Sequence, residues 1–396
     1  MSRNVWIVLV VALVGCKYPD PGGVSPGDDA GSSITTDIVV HQTASSTKLY
    51  LTESPRFGAL ESRSAVEEYT GRARVFTLLG FVFVATTDGK LLKLDHDGFG
   101  GLTDLNTTLD FGPLGITRFE DSWVVIDTKA WYFDSVGDRA FFVDLDTMEI
   151  LETISLAAAD APGKNVVWTG AAQRGDDLYV GLYYEDPADP LVHETQMTVL
   201  WIGPTRTLQP PMHDTRCVRA QMIGVAPNGT VLIVGDSSYY REFGLPSVAP
   251  MNCLVRIESS DPGVIDPDSS DMWFIDDYMD GDASGSYAFA RTFDTAMMWA
   301  REDVTYATLA QYQSMSRWRP HTLSIENLSS DLISDDVVNI GKPGRTFLIS
   351  ETPYFVVNTR DDSMPGGAVR TDIGGGDFDE VGQFPPGEII LLASFD

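Results

Sequence analysis

The sequence predicts an all-β fold: a β-propeller of about seven blades, with six or eight as the neighbouring counts, after an N-terminal tether without structure. Three observations carry this. Short apolar, β-branched and aromatic runs occur along the whole chain, as in 37–42, 90–95, 139–144 and 388–392, and many others alternate. Few windows place apolar residues at helical spacing. The runs also recur in groups of about 45–55 residues, a period that means stacked or ringed supersecondary units. Two packed β-sandwiches are the competing architecture.

The elements follow in chain order. Residues 1–15 hold one charge, Arg3, ahead of the apolar stretch 5–14, which is too short to span a bilayer. Leu13-Val14-Gly15-Cys16 then has the form of a bacterial lipobox, in which the Cys16 thiol is acylated and becomes the new N-terminus. An ordinary secretory leader, or a cytosolic chain with an apolar start, is the alternative. Lys17 follows the cysteine, where an aspartate would retain an enterobacterial lipoprotein at the inner membrane, so delivery to the outer membrane is expected. Residues 16–35 are mostly Pro, Gly, Ser and Asp and bury too little to fold, so they read as a lipidated flexible tether. Residues 36–396 form the propeller domain.

Within that domain the repeat is visible in four groups: 80–111, 121–156, 174–203 and 223–259. Each runs strand, turn, strand, with turn chemistry at Thr87-Asp88-Gly89, Arg174-Gly175-Asp176-Asp177 and Pro227-Asn228-Gly229. The run near the start (37–42) and the run near the end (388–392) are expected to share one blade.

Composition excludes several functions. The formal net charge is −30 and the basic residues are scattered, so neither nucleic acid nor an anionic lipid surface is a partner of the protein surface. The charge suits a soluble extracytoplasmic domain or a surface that draws cations. Of the three cysteines, Cys217 and Cys253 remain once Cys16 is acylated. In an oxidising compartment they suggest one disulfide, which the chain-entropy model values at roughly 4 kcal/mol, with two buried free thiols as the alternative.

No Walker A loop, HExxH, GxSxG or EF-hand loop is present. Gly235-Asp236-Ser237 after an apolar run has the look of an SGNH-esterase opening, but no DxxH supplies a base, and the residues read better as a turn cap. The five histidines show no metal-ligand spacing. Acidic loops at Asp95-His96-Asp97-Gly98, at Asp276 to Asp282 and at Asp377 to Glu380 are candidate cation sites, with Asp95, Asp97, Asp280 and Asp282 as the ligands. Solvated turns are the alternative and the simpler explanation. No cofactor is called for, and calcium is the one ion these loops could take. Most tryptophans should pack in the core; Trp318-Arg319-Pro320-His321 reads as an exposed mixed cluster. Propellers bind ligands at the axis, and Arg174, Arg219, Arg291, Trp299 and Arg345 each lie near the start of a repeat, where arginines would suit an anionic ligand. Ion pairs between blades are the alternative.

Several segments carry a family resemblance. They include Leu94-Asp95, Asp97-Gly98, Gly101-Leu102-Thr103, Leu109-Asp110-Phe111 and Thr128-Lys129-Ala130-Trp131-Tyr132. Further on come Arg174-Gly175-Asp176-Asp177-Leu178-Tyr179-Val180, Asp214-Thr215-Arg216-Cys217, Ala226-Pro227-Asn228-Gly229-Thr230-Val231 and Asn252-Cys253-Leu254-Val255-Arg256-Ile257. In these the chain resembles the MxcI-like lipoproteins of myxobacteria, encoded beside genes for the siderophore myxochelin. The resemblance implies a propeller-like lipoprotein with a part in iron or siderophore handling, and it transfers no catalytic residue. The expectation is therefore a non-enzymatic, monomeric binding or accessory lipoprotein of the outer membrane, with a ferric siderophore or an envelope protein as partner. An envelope scaffold and a propeller lactonase with an axial metal are the rival readings.

Overall fold

The computed structural model describes residues 37–52, 56–78, 80–96, 101–116, 119, 123–126, 128–134, 138–157, 163–185, 196–217, 220–225, 229–235, 253–266, 273–274, 282–290, 295–302, 317–324, 329–333, 338–340, 345–349, 352–359, 366–374 and 377–392. In parts of the later strands only the backbone path is described. The described residues are mostly strand, with two 3-10 turns, Leu60–Ser62 and Gly112–Leu114, and no α-helix among them.

The strands pair into seven sheets of four or five, nearly all built from consecutive antiparallel neighbours. The first sheet has the order Glu388–Leu392, Asp37–Gln42, Ser46–Thr52, Glu67–Thr70. The second runs Arg74–Leu78, Phe81–Ala85, Lys90–His96, Leu102–Asp110, and the third Trp123–Ile126, Lys129–Asp134, Arg139–Asp144, Glu149–Ser155. The fourth is Asn165–Arg174, Asp177–Glu185, Met197–Ile202, Met212–Asp214, and the fifth Ala220–Val225, Val231–Gly235, Cys253–Ile257, Trp273–Phe274. The sixth is Asp282–Ala290, Thr295–Glu302, Arg317–Ser324, Ser329–Leu332, with Asn339–Ile340 also on Arg317–Ser324. The seventh is Arg345–Ile349, Thr352–Thr359, Gly366–Gly374, Asp377–Phe384, to whose edge Gly58–Ala59 adds in parallel. This up-and-down repetition of small sheets is the β-propeller class expected from the sequence.

Burial follows position in the sheet. Asp37–Gln42 and Val231–Gly235 are buried at every residue, whereas the outermost Leu102–Asp110 is largely exposed and Glu149–Ser155 alternates. Strands covered on both faces can be apolar throughout; an outer strand needs polar residues on its wet side. The outer strand Leu102–Asp110 is also blunted by a bulge opposite Lys93 and Leu94, with Asn106 at φ +54°.

The chain divides into two compact units. One contains 120–345 and so the third to sixth sheets. Its core has two parts. Trp131, Phe133, Phe142, Trp168, Leu182 and Leu200 pack together from the third and fourth sheets, and Tyr179, Met197, Val199, Cys217, Ile223, Ile233 and Ile257 from the fourth and fifth. Fully burying one such side chain contributes about 1.5–3 kcal/mol. The fourth and fifth sheets approach closely: the Thr169 hydroxyl donates to the Ala220 carbonyl, and a Cβ on Gly181 would meet Thr169 Oγ1 at 2.8 Å and Ala220 Cβ at 3.0 Å.

The other unit contains the first and second sheets and most of the seventh. As expected, the strands near the two ends share a sheet, with His41 opposite Ile389 and Val39 opposite Leu391. His41 Nε2 donates to the Pro385 carbonyl at 3.2 Å, and a Cβ on Gly387 would collide with that ring. Phe57, 2% exposed, lies on Gly382, where no Cβ could fit, and thereby seats the parallel edge strand Gly58–Ala59.

Two sequence readings are corrected. Asp377 to Glu380 is not a loop but part of the bulged strand Asp377–Phe384, with Asp379 paired to Arg56 and Glu380 accepting from Gln383 at 2.7 Å. Trp318 and His321 are not exposed: they are 1% and 3% accessible, because Arg317–Ser324 is flanked by strands on both sides.

Candidate functional site

Arg174 ends the first strand of the fourth sheet, and the turn Gly175-Asp176 returns the chain at Asp177, with Gly175 at φ +57°. The guanidinium reaches the fifth sheet. Its Nη1 donates to the carbonyls of Gly229 at 3.2 Å, Ile257 at 3.4 Å and Glu258 at 3.1 Å. Its Nη2 donates to the Tyr179 hydroxyl at 2.5 Å, which passes its own hydrogen to the Pro262 carbonyl at 3.1 Å. Asp177 supplies the counter-charge at 3.9 Å. Burial pushes the Tyr179 hydroxyl up to about 12, so it is a neutral donor at ordinary pH. Arg174 thus ties the turns of two adjacent sheets together.

The other sequence candidates fall as follows. Arg219, Arg291, Asp97, Asp280 and Cys16 lie outside the described residues. Arg345 and Asp282 open strands, with side chains that are not described. Trp299 is 2% exposed and sits between Tyr287 and Pro320 in register. Asp95 is half-buried in Lys90–His96, opposite Thr103. Among the described residues no three His, Cys, Asp or Glu side chains gather as a metal set. Cys217 is fully buried and disulfide-bonded. Cys253 opens its strand opposite Gly235.

Below the Arg174 tie lies a groove of about 320 Å³, lined by Trp201, Gln209, Pro210, Pro211, Met212, His213, Gly263, Val264 and Ile265. The Trp201 indole N–H donates to Asp177 at 2.7 Å, and Gly263 lies against the ring, where a Cβ would meet Cζ3 at 2.8 Å. His213 is fixed through Nδ1, 3.1 Å from Thr198 Oγ1 and 3.3 Å from Gln196 Nε2. Beside it Arg216 clasps the buried Asp214 through Nε at 3.1 and 3.0 Å and Nη2 at 2.5 Å, and donates onward to the Asp266 carbonyl at 2.6 Å. No local motif in the sequence announces this groove, because its walls come from three separated segments.

No protein-family model and no curated protein matches the chain. Among solved structures it is similar to apo AztD from Citrobacter koseri (7% identity, TM-score 0.48, 90% of this chain and 97% of that one). It is also similar to the dihydro-heme d1 dehydrogenase NirN in complex with DHE (10%, 0.43, 97% and 78%) and to the Dos1 propeller (9%, 0.44, 89% and 78%). Likeness at this level transfers no ligand, reaction or partner, and the fold class rests on the strand pairing itself.

Proposed function

We propose that this protein is a lipid-anchored outer-membrane or surface lipoprotein whose propeller, its seven sheets read as seven blades, acts as a non-enzymatic binding or accessory module, with siderophore-linked iron uptake as its setting. The observation that carries the anchor is Leu13-Val14-Gly15-Cys16 after a short apolar run and before a Pro/Gly/Ser/Asp tether. Iron handling rests on the resemblance to the MxcI-like lipoproteins alone. Cys217 takes Cys253 as its disulfide partner in this reading, which suits an oxidising envelope compartment. Metabolic labelling with a palmitate analogue tests the anchor: the wild type is expected to be labelled and to sediment with membranes, and Cys16→Ser to be neither. Mass spectrometry finding an unacylated chain that keeps its leader overturns it. Titration of the purified protein with a ferric catecholate tests the ligand, and absence of heat at millimolar ligand removes it.

The groove beside Trp201 favours a second reading of the same module, as a scaffold that holds an envelope protein. Its partner would be recognised through an apolar contact on a strongly acidic molecule.

A further inference from the structure

We infer that the Trp201 groove is the docking site for a basic peptide segment that carries one bulky apolar side chain. The inference rests on the scaffold reading above and adds the place and chemistry of the partner.

The groove is ready-made. Trp201 is held by its bond to Asp177 on one side and by Gly263 against the ring, so the indole needs no ordering when a ligand arrives. Three polar atoms of the walls are already used: Trp201 Nε1 by Asp177, His213 Nδ1 by Thr198 and Gln196, Gln209 Nε2 by the Thr207 carbonyl at 3.1 Å. The apolar surface offered to a ligand is the indole, the proline rings, Met212 and Val264, which is 44% exposed, with the outer edge of the exposed His213 ring beside it. Pro210 and Pro211 have no N–H, so a visiting strand cannot simply extend the edge there, and recognition falls to a side chain. About 320 Å³ is at the small end of ligand sites, which suits one large side chain better than a cofactor.

Charge selects the rest of the segment. Among the described residues no Lys or Arg lines the groove. Asp177 accepts from the indole N–H at the ring edge, Asp214 follows His213, and Asp261 and Asp266 flank the 263–265 wall. Three arginines offset part of this charge, Arg174 on Asp177, Arg216 on Asp214 and Arg256 shared by Glu258 and Asp266, so the five carboxylates Asp177, Asp214, Glu258, Asp261 and Asp266 keep a local acidic excess. The whole chain adds a net −30. Such a field draws cationic segments and repels acidic ones.

Fluorescence anisotropy with the full-length protein and a capped, dye-labelled peptide of one leucine flanked by prolines and lysines tests this. Saturable binding that weakens with salt is expected. Exchanging the leucine for serine, or introducing Val264→Lys, should each weaken it about tenfold or more, while Leu151→Lys, equally exposed at 44%, should leave the leucine dependence intact. Val264→Ser serves as a neutral second variant and should weaken binding in the same direction. Absence of saturable binding, equal binding of the serine peptide, or equal effects of the two lysine variants overturns the inference. If the peptide fails while one envelope protein still co-purifies equally with the wild type and with Val264→Lys, the docking site is removed and the scaffold reading stands; if neither peptide nor envelope protein binds, both are removed.

Discussion

Arg174 shows how far a residue's position and its role can part. Its place at the turn Arg174-Gly175-Asp176-Asp177 is legible in the sequence, since the Gly-Asp pair marks a hairpin. Its partners are not: the three carbonyls and the Tyr179 hydroxyl lie five to 84 positions away. A planar fork serves these acceptors at once, which an ammonium cannot do. Arg174→Ala should therefore cost about 2–4 kcal/mol in urea unfolding, and Arg174→Lys should recover less than half of that. A loss below about 0.5 kcal/mol would show the tie to be idle. The groove illustrates the converse. Trp201, Pro211 and Gly263 carry no signal individually, and it takes the Asp177 bond and the missing Cβ of Gly263 to make them one surface.

At the scale of the element, strands with alternating or continuous apolar runs were readable, and those without them were not. Asn165–Arg174 contains Thr169-Gly170-Ala171-Ala172 and a bulge between Trp168 and Gly170. Small residues are required there because the fifth sheet lies against it, and the same smallness erases the strand signal. The acidic, Gly-rich stretch before and within Asp377–Phe384 misleads in the same way: two register shifts absorb the glycines without ending the pairing. The strand Asp37–Gln42 carries a pH dependence. His41 is held below the usual imidazole range, chiefly by burial and slightly by Lys48, while the Pro385 and Pro386 carbonyls pull the other way. Above about pH 6.5 the ring is neutral in both folded and unfolded chains and nothing is lost. As pH falls below that value the unfolded chain takes up a proton that the folded one resists, so stability declines until the folded ring also titrates. Thermal unfolding followed from pH 7.5 to 5 should show a steeper decline for the wild type than for His41→Gln, and parallel curves would remove His41 as the cause.

At the scale of the whole molecule, the repeat was the most legible feature. The 121–156 group coincides with the third sheet and the 80–111 group holds the last three strands of the second, while the 174–203 and 223–259 groups hold only the two middle strands of the fourth and fifth sheets, with the first strand partly outside and the last, Met212–Asp214 or Trp273–Phe274, wholly outside. The first strand of the fourth sheet is rich in small residues, and the last strands of the fourth and fifth sheets are only three and two residues long, so the period was clearer than its phase. Reduction is a molecule-wide test of the bond at Cys217: in the oxidised protein a disulfide closing the stretch to Cys253 should contribute roughly 4 kcal/mol, lost on treatment with dithiothreitol. An unfolding midpoint indifferent to reductant would mean that the bond constrains little. The pairing of Asp37–Gln42 with Glu388–Leu392 has a further meaning for biogenesis. The first sheet to emerge from a ribosome lacks an edge until codon 388 and its successors have been read. Its hydrogen-bonding groups on that side stay open until that strand has been made. Any message cut short before then yields a chain whose opening hairpin has no mate.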